Sequence, residues 1–198
     1  AGSGRNALFA GSIWVGGKDA NGQLKMAAQR FRQDGIDFWP GPLIISGASQ
    51  GTTSQEICRQ YDKHFTISKE MVKEFREWYA CSQDPLCDVN EVFPMYSIPD
   101  IILNWPAHGP TGGYDYYLAP FWDVDDDGSY NPLMGDFPYY EFFNEGITDD
   151  HDCARPKDRM PKLFGDFTLW WVYNDRGNIH TETGGDPIGM EFRAQAFG

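Results

Sequence analysis

Leu169-Trp170-Trp171-Val172-Tyr173, followed by Asn174-Asp175-Arg176-Gly177-Asn178 and then Ile179-His180-Thr181-Glu182-Thr183, decides the reading of the fold. The first five residues are apolar, aromatic or β-branched, which suits a pleated strand. The next five are rich in residues that accept turn geometry. Residues 179–183 are expected to return as a second strand. Gly184-Gly185-Asp186-Pro187 turns again, and Glu191 to Phe197 alternates like a strand and then stops. That stop reads as a piece of a longer protein.

The other end of the chain reads the same way. Leu8 to Val15 is apolar and aromatic, Gly16 to Gly22 reads as a turn, and Gln23 to Phe31 returns. Asn21-Gly22 supplies positive φ for that hairpin. Leu24, Met26, Ala28 and Phe31 are the inward candidates. Pro40 and Pro42 rule out a central strand at Phe38 to Leu43, leaving a rigid loop or an edge segment. Residues 44–55, rich in Ser, Gly and Thr, read as a loop.

Between these strands the period changes. Ser68 is a good N-cap and Glu70 lies in the first turn. Met71, Phe75, Trp78 and Tyr79 share one helical face, and the helix should end near Cys81, before Gln83-Asp84-Pro85. A shorter helix is expected from Pro99 through Ile102. The expectation is a mostly β, β-sandwich-like single domain over 1–198, with a central α-helical insertion at about 55–110 and a calcium-binding loop at 123–136. No internal repeat interrupts it.

Charge excludes some partners. Lys and Arg total 16 against 29 Asp and Glu, a net charge of −13. Nucleic acid binding draws on clustered basic residues, and docking on an anionic membrane needs the same. There is no run long enough for a membrane span. Four cysteines, Cys58, Cys81, Cys87 and Cys153, have no zinc spacing. Their even number points to two disulfides in an oxidising compartment, with three pairings open.

The strongest chemical signal is Asp123-Val124-Asp125-Asp126-Asp127-Gly128-Ser129-Tyr130-Asn131. Acids at alternate positions closed by Gly form the first half of an EF-hand-like loop. Ca2+ takes six to eight oxygens, so Asp123, Asp125 and Asp127 would converge as the backbone wraps, with the Ser129 carbonyl next. Asp126 points away. Position twelve, where an EF-hand places Glu, is Met134, and Asp136 is expected to take its place.

No catalytic constellation stands out. His180-Thr181-Glu182, with Asp186 nearby, offers an acid/base pair or a polar sheet edge, and the edge is the simpler reading. His108 fits a ligand loop or packing around a Pro-rich turn; His64 and His151 have no arrangement. P-loop, Gly-x-Ser-x-Gly and His-Glu-x-x-His motifs are missing. Trp39, Trp105 and Trp122, beside prolines or in loops, are candidates to stack on sugar or protein. Trp170 and Trp171 should face opposite sides of their strand.

Several long motifs also carry a resemblance. They are Asn6-Ala7-Leu8-Phe9-Ala10-Gly11-Ser12-Ile13-Trp14-Val15-Gly16-Gly17, Ala27-Ala28-Gln29, Asp37-Phe38-Trp39-Pro40-Gly41-Pro42, Asn104-Trp105-Pro106-Ala107-His108-Gly109 and Leu118-Ala119-Pro120-Phe121. The acidic loop through Pro138, Leu169 to Asp175, His180 to Gly185 and Pro187 to Glu191 complete the set. The chain resembles the N-terminal region of large secreted surface proteins of Bacteroidota, gliding- or adhesin-like substrates of type IX secretion. The resemblance implies an extracellular or outer-surface location and a calcium loop, and it names no reaction. Its pattern often has Gly where Asp126 stands. The expected function is a non-catalytic structural or adhesive module, with protein or glycan partners. A polysaccharide-active enzyme and a subunit of a surface filament or secretion complex are the alternatives.

Overall fold

In the computed structural model, residues 10–32, 34–140 and 161–198 are described. The chain divides into two compact units, residues 1–62, 112–114 and 172–192, and residues 63–111, 115–171 and 193–198.

The first unit opens with β1 (Trp14–Lys18) and β2 (Leu24–Ala28), antiparallel from Trp14↔Ala28 to Lys18↔Leu24. The hairpin forms as expected, but its turn is shorter, because Gly16 and Gly17 belong to β1. The Asp19 carboxylate ties the turn by accepting from the N–H groups of Asn21 and Gln23, both at 2.9 Å. Gly22 takes φ +79°, where a side chain would be strained. The inward face differs from the expected one. Ala27 is fully buried, whereas Leu24 and Phe31 are exposed. Lys25 shares the face of Ala27, and its ammonium is satisfied by Asp186 at 3.2 Å. A paired lysine therefore replaces the apolar residue that the alternation would require.

β3 (Trp39–Pro40) pairs antiparallel with Tyr173 and Asn174, as an edge segment should. The Asn174 amide donates to the Gly41 carbonyl at 2.8 Å. Helix α1 (Gln55–Tyr61), capped by Ser54, opens the stretch of about 55–110 expected to be helical, although the first individual helix was expected only after Ser68. Phe38, Tyr173 and Phe192 pack as an aromatic cluster with centroids 4.9–5.8 Å apart.

Residues 179–183 do not form the expected strand. Side chains take the place of a ladder. The buried Asp37 carboxylate accepts from the Glu182 N–H at 2.9 Å and the Thr183 hydroxyl at 2.7 Å. The Ile36 N–H donates to the Thr181 hydroxyl, and the Thr181 N–H donates to the Ile36 carbonyl. Buried Asp175 holds the next turn by accepting from the N–H groups of Ile188, Gly189 and Met190 at 2.6–2.9 Å.

The second unit contains β4 (Phe65–Ser68), α2 (Lys69–Gln83), α3 (Val89–Val92) and α4 (Asp100–Leu103). Ser68 caps α2 by accepting from Met71 N–H at 3.1 Å. Val72, Phe75 and Cys81 are its buried residues, so Val72 rather than Met71 completes the inner face. Burying a side chain such as Phe75 contributes roughly 1.5–3 kcal/mol. β5 (Phe121–Trp122) and β6 (Phe137–Pro138) form a small antiparallel pair. β7 (Phe167–Asn174) begins in this unit, where residues 167–170 pair antiparallel with β4. It also pairs with β8 (Glu191–Phe197). Phe65, Trp105 and Trp170 make the aromatic centre, and the Trp105 indole N–H donates to the Pro120 carbonyl at 3.0 Å.

The fold is thus mixed α/β, with several antiparallel sheets, and mostly β only in part. These pairings do not by themselves define a sandwich. Two disulfides were expected, and among the described residues one is formed, between Cys81 and Cys87. Cys58 carries a free thiol, which burial pushes above its ordinary pKa. Cys153 and His151 lie outside the described residues. Among the described residues no helix is long and apolar enough to cross a membrane.

Candidate metal centre

The centre sits in the loop between β5 and β6. The strand register places Trp122 opposite Phe137. Continuing that register one step puts Asp123 opposite Asp136, so the strand pairing itself brings the two acids together. The loop between them must fold back over twelve residues of chain. Asp126 takes φ +59° and Gly128 φ +82°, two left-handed positions that coil it inward. Asn131 caps a single 3-10 turn, Pro132–Met134, by accepting from Leu133 N–H at 3.1 Å. Gly135, at φ +102°, then ends that turn. A Cβ on Gly135 would lie 2.5 Å from the Tyr79 ring, so both space and backbone require glycine there.

The result is an acidic trio. Asp123, Asp125 and Asp136 each offer an oxygen, and these oxygens lie within 4.8 Å of one another. Asp123 and Asp136 are buried and Asp125 is exposed. The trio can hold a metal ion. Asp136, placed fourteenth from the loop start, does converge on the site, while Asp127 does not join the trio. The Asp127 carboxylate instead accepts from Ser129 N–H at 2.7 Å. The Ser129 hydroxyl lies 3.1 Å from the Tyr116 hydroxyl.

The carboxylates are also held from behind. Asp136 accepts from Val124 N–H and Asn131 N–H, both at 2.8 Å. Asp123 accepts from Gly128 N–H at 2.9 Å and Asp127 N–H at 3.2 Å. These bonds fix where the oxygens stand. Burial pushes the Asp136 carboxyl above its ordinary pKa, and the charges of Asp123 and Asp125 push it the same way. The two backbone N–H groups oppose that shift. Two carboxylates 4.8 Å apart repel by roughly 3 kcal/mol at an effective dielectric near 20. A bound cation converts this repulsion into attraction. The donor set, all oxygen, suits a hard divalent cation over a thiolate-seeking metal.

One positioning residue was not assigned from the sequence. The His108 Nε2 accepts from Tyr130 N–H at 2.7 Å, which leaves Nδ1 to donate to the Tyr116 carbonyl at 2.9 Å. His108 also stacks on Tyr116 at 4.1 Å. The Tyr130 hydroxyl donates to the Ile102 carbonyl at 2.7 Å. Burial, with the Asp136 charge behind it, pushes the Tyr130 phenol up. His108 is therefore the clip that holds the outer arm of the loop. Its place beside Trp105 was visible in the sequence, but its partner 22 residues on was not.

The other candidates separate. His180 is buried, with Nδ1 2.7 Å from the Met26 carbonyl and Nε2 2.6 Å from the Asp175 carbonyl. A buried ring with a backbone carbonyl against each nitrogen is held as a structural clip between two segments. Glu182 faces elsewhere, bound by Gly35 N–H, Asp34 N–H and Arg30. Those partners, the Gly35 N–H first, hold its carboxyl below the ordinary value. Asp186 is taken by Lys25 and Gln23. The three do not assemble into one site. His64 packs edge-on against Trp171. Trp105 is buried, and Trp39 and Trp122 are half-buried.

Comparison with protein-family models, with curated proteins and with solved structures finds no match.

Proposed function

We propose that this chain is a calcium-stabilised, non-catalytic module of a secreted bacterial surface protein, of the Bacteroidota type that its motifs resemble. Its work is structural or adhesive. The observation that carries the calcium reading is the convergence of Asp123, Asp125 and Asp136 with Asp136 fully buried. A buried carboxylate beside two others is costly unless a cation joins it. Ca2+ fits better than Mg2+ because it accepts irregular, flexible oxygen shells, and loop carbonyls and water complete such a shell. Among the described residues no helix of eight or more residues flanks the loop, which supports a structural site over a sensor. The Cys81–Cys87 disulfide supports an oxidising compartment.

The test is calorimetric titration of chelator-treated protein with Ca2+ and, separately, Mg2+. One Ca2+ bound per chain, with Mg2+ weaker by at least about tenfold, supports the reading. No heat and no change in unfolding temperature with either ion overturns it.

A further inference from the structure

The second inference concerns the first unit alone and does not depend on the metal. Of seven tryptophans, Trp14 is the exposed one, at 73%; the other six are buried or half-buried. It is also fixed. The indole N–H donates to the Gln29 carbonyl at 2.8 Å, so one edge of the ring is pinned while its face stays in solvent. An exposed indole held in one orientation has already lost the freedom that a ligand would otherwise have to remove.

The surroundings form a shallow cleft of about 220 Å³ lined by Trp14, Ala28, Gln29, Arg30, Glu182 and Thr183. The strand register explains it. Trp14 stands opposite Ala28, whose small side chain leaves a floor beside the ring. Arg30 rises from the next turn of chain with its side chain more than half exposed. It is braced by Glu182 below and by Asp34 at 2.8 Å. Glu182 is itself locked, with a side chain only 5% exposed and two backbone N–H groups on one oxygen. The cleft thus has an apolar wall, a small floor and a polar wall that includes the braced Arg30 guanidinium.

Charge narrows the ligand. The Arg30 guanidinium is neutralised by two carboxylates, so the cleft offers no net positive charge for an anion. Those carboxylates are both engaged by Arg30, so neither is left unpaired to recruit a cation. What remains is a neutral ring with one C–H face and hydroxyls on its rim. The C–H face lies on the indole, and the hydroxyls meet the planar donors of Arg30 and Gln29. The volume is below the roughly 300–1,000 Å³ of sites for drug-sized ligands, which suits a single ring of a chain. We propose that Trp14, Gln29 and Arg30, with Glu182 as positioning residue, form a binding subsite for one neutral pyranose unit of a glycan.

Saturation-transfer NMR with methyl glycosides of glucose, galactose, mannose, xylose and N-acetylglucosamine tests this. At least one glycoside should receive magnetisation on the protons of one ring face, with a dissociation constant on the order of millimolar. Titration should shift the Trp14 indole N–H resonance, identified by its loss in Trp14→Phe. Trp14→Ala should weaken binding at least about tenfold, with an unchanged unfolding temperature because the side chain is exposed. Trp14→Phe should retain part of the binding, and chelator should leave it unaltered. If no glycoside shows transfer, or transfer is equal in Trp14→Ala, the subsite does not exist. A loss of the Trp14 resonance shift on dilution without sugar would show that a second copy covers the indole, and would also overturn it.

Discussion

Asp125→Asn should change the stability of this protein in opposite directions with and without calcium. Asp125 is the exposed member of the trio, and its carboxylate accepts only a long bond, 3.3 Å, from Asp127 N–H. The amide oxygen of Asn can keep that bond, so the substitution removes a charge and little else. In chelator the remaining pair, Asp123 and Asp136, loses a like-charged neighbour. Because Asp125 faces solvent, that relief is screened and amounts to a few tenths of a kcal/mol up to about 1 kcal/mol. In calcium the same change removes a charged ligand. If affinity falls about tenfold, then at a calcium concentration a hundred times the wild-type dissociation constant the stabilisation drops from about 2.7 to about 1.4 kcal/mol. For a chain of this size each kcal/mol moves the midpoint by roughly 2–4 °C. The assay is differential scanning calorimetry of both proteins in excess chelator and in calcium. Wild type should gain roughly 5–11 °C from calcium and the variant about half that, while in chelator the variant should match or exceed wild type. An equal calcium shift in the two proteins would refute the trio as the site. A variant less stable in chelator by more than about 1 kcal/mol would refute the claim that repulsion dominates the metal-free loop.

Other substitutions probe the scaffold. Asp126→Gly should stabilise by about 1 kcal/mol, seen as a rise in thermal midpoint, because Asp126 holds φ +59° in the region that favours glycine. Asp37→Asn should cost about 2–3 kcal/mol in denaturant unfolding, since an amide nitrogen would face donors that the carboxylate now accepts from. Burial raises the Asp37 carboxyl, but its bonds to Thr183, Ala28 and Glu182 outweigh that and hold it below the ordinary 3.8. A lowered carboxyl contributes stability above pH 3.8 that is lost as pH falls through its folded value, so the acid limb of the pH–stability curve should be shallower in the variant. Replacing both Cys81 and Cys87 by Ser should lower unfolding free energy by about 2 kcal/mol, the chain-entropy value for a six-residue separation.

Local signals were legible where side chains act on their own backbone. Ser68 announced α2, and the Asn21-Gly22 pair announced the first hairpin. The alternating acids with Asp136 behind them announced the loop, because a carboxylate spacing is chemistry that sequence carries directly. The failures share one cause. At 179–183 a strand was expected because the segment follows a strand and a turn. The acceptors that hold this segment come from Asp37, about 145 residues earlier, so no ladder is needed. In β2 the alternation put Leu24 inside, and a lysine paired to Asp186 reversed it. His108 stayed open between a ligand loop and packing because its partner, Tyr130 N–H, belongs to another loop. In each case a polar side chain satisfies distant groups, and hydrophobic period carries no information about that.

The same devices bear on what the chain does. Asp37, Asp175 and His180 are buried polar groups, and each is fully engaged in holding irregular backbone. An enzyme of acid/base type needs at least one such group turned toward a cleft with a lone pair or proton to exchange. Among the described residues, Asp37, Asp175 and His180 face carbonyls, N–H groups and a hydroxyl, and the cleft beside Trp14 holds the Arg30–Glu182 ion pair. Among the described residues the acidic trio of Asp123, Asp125 and Asp136 is the cluster that could hold a metal ion. Polar residues that fix loops, with a pinned indole left exposed, are what the proposed adhesive role rests on, and the glycoside titration tests it.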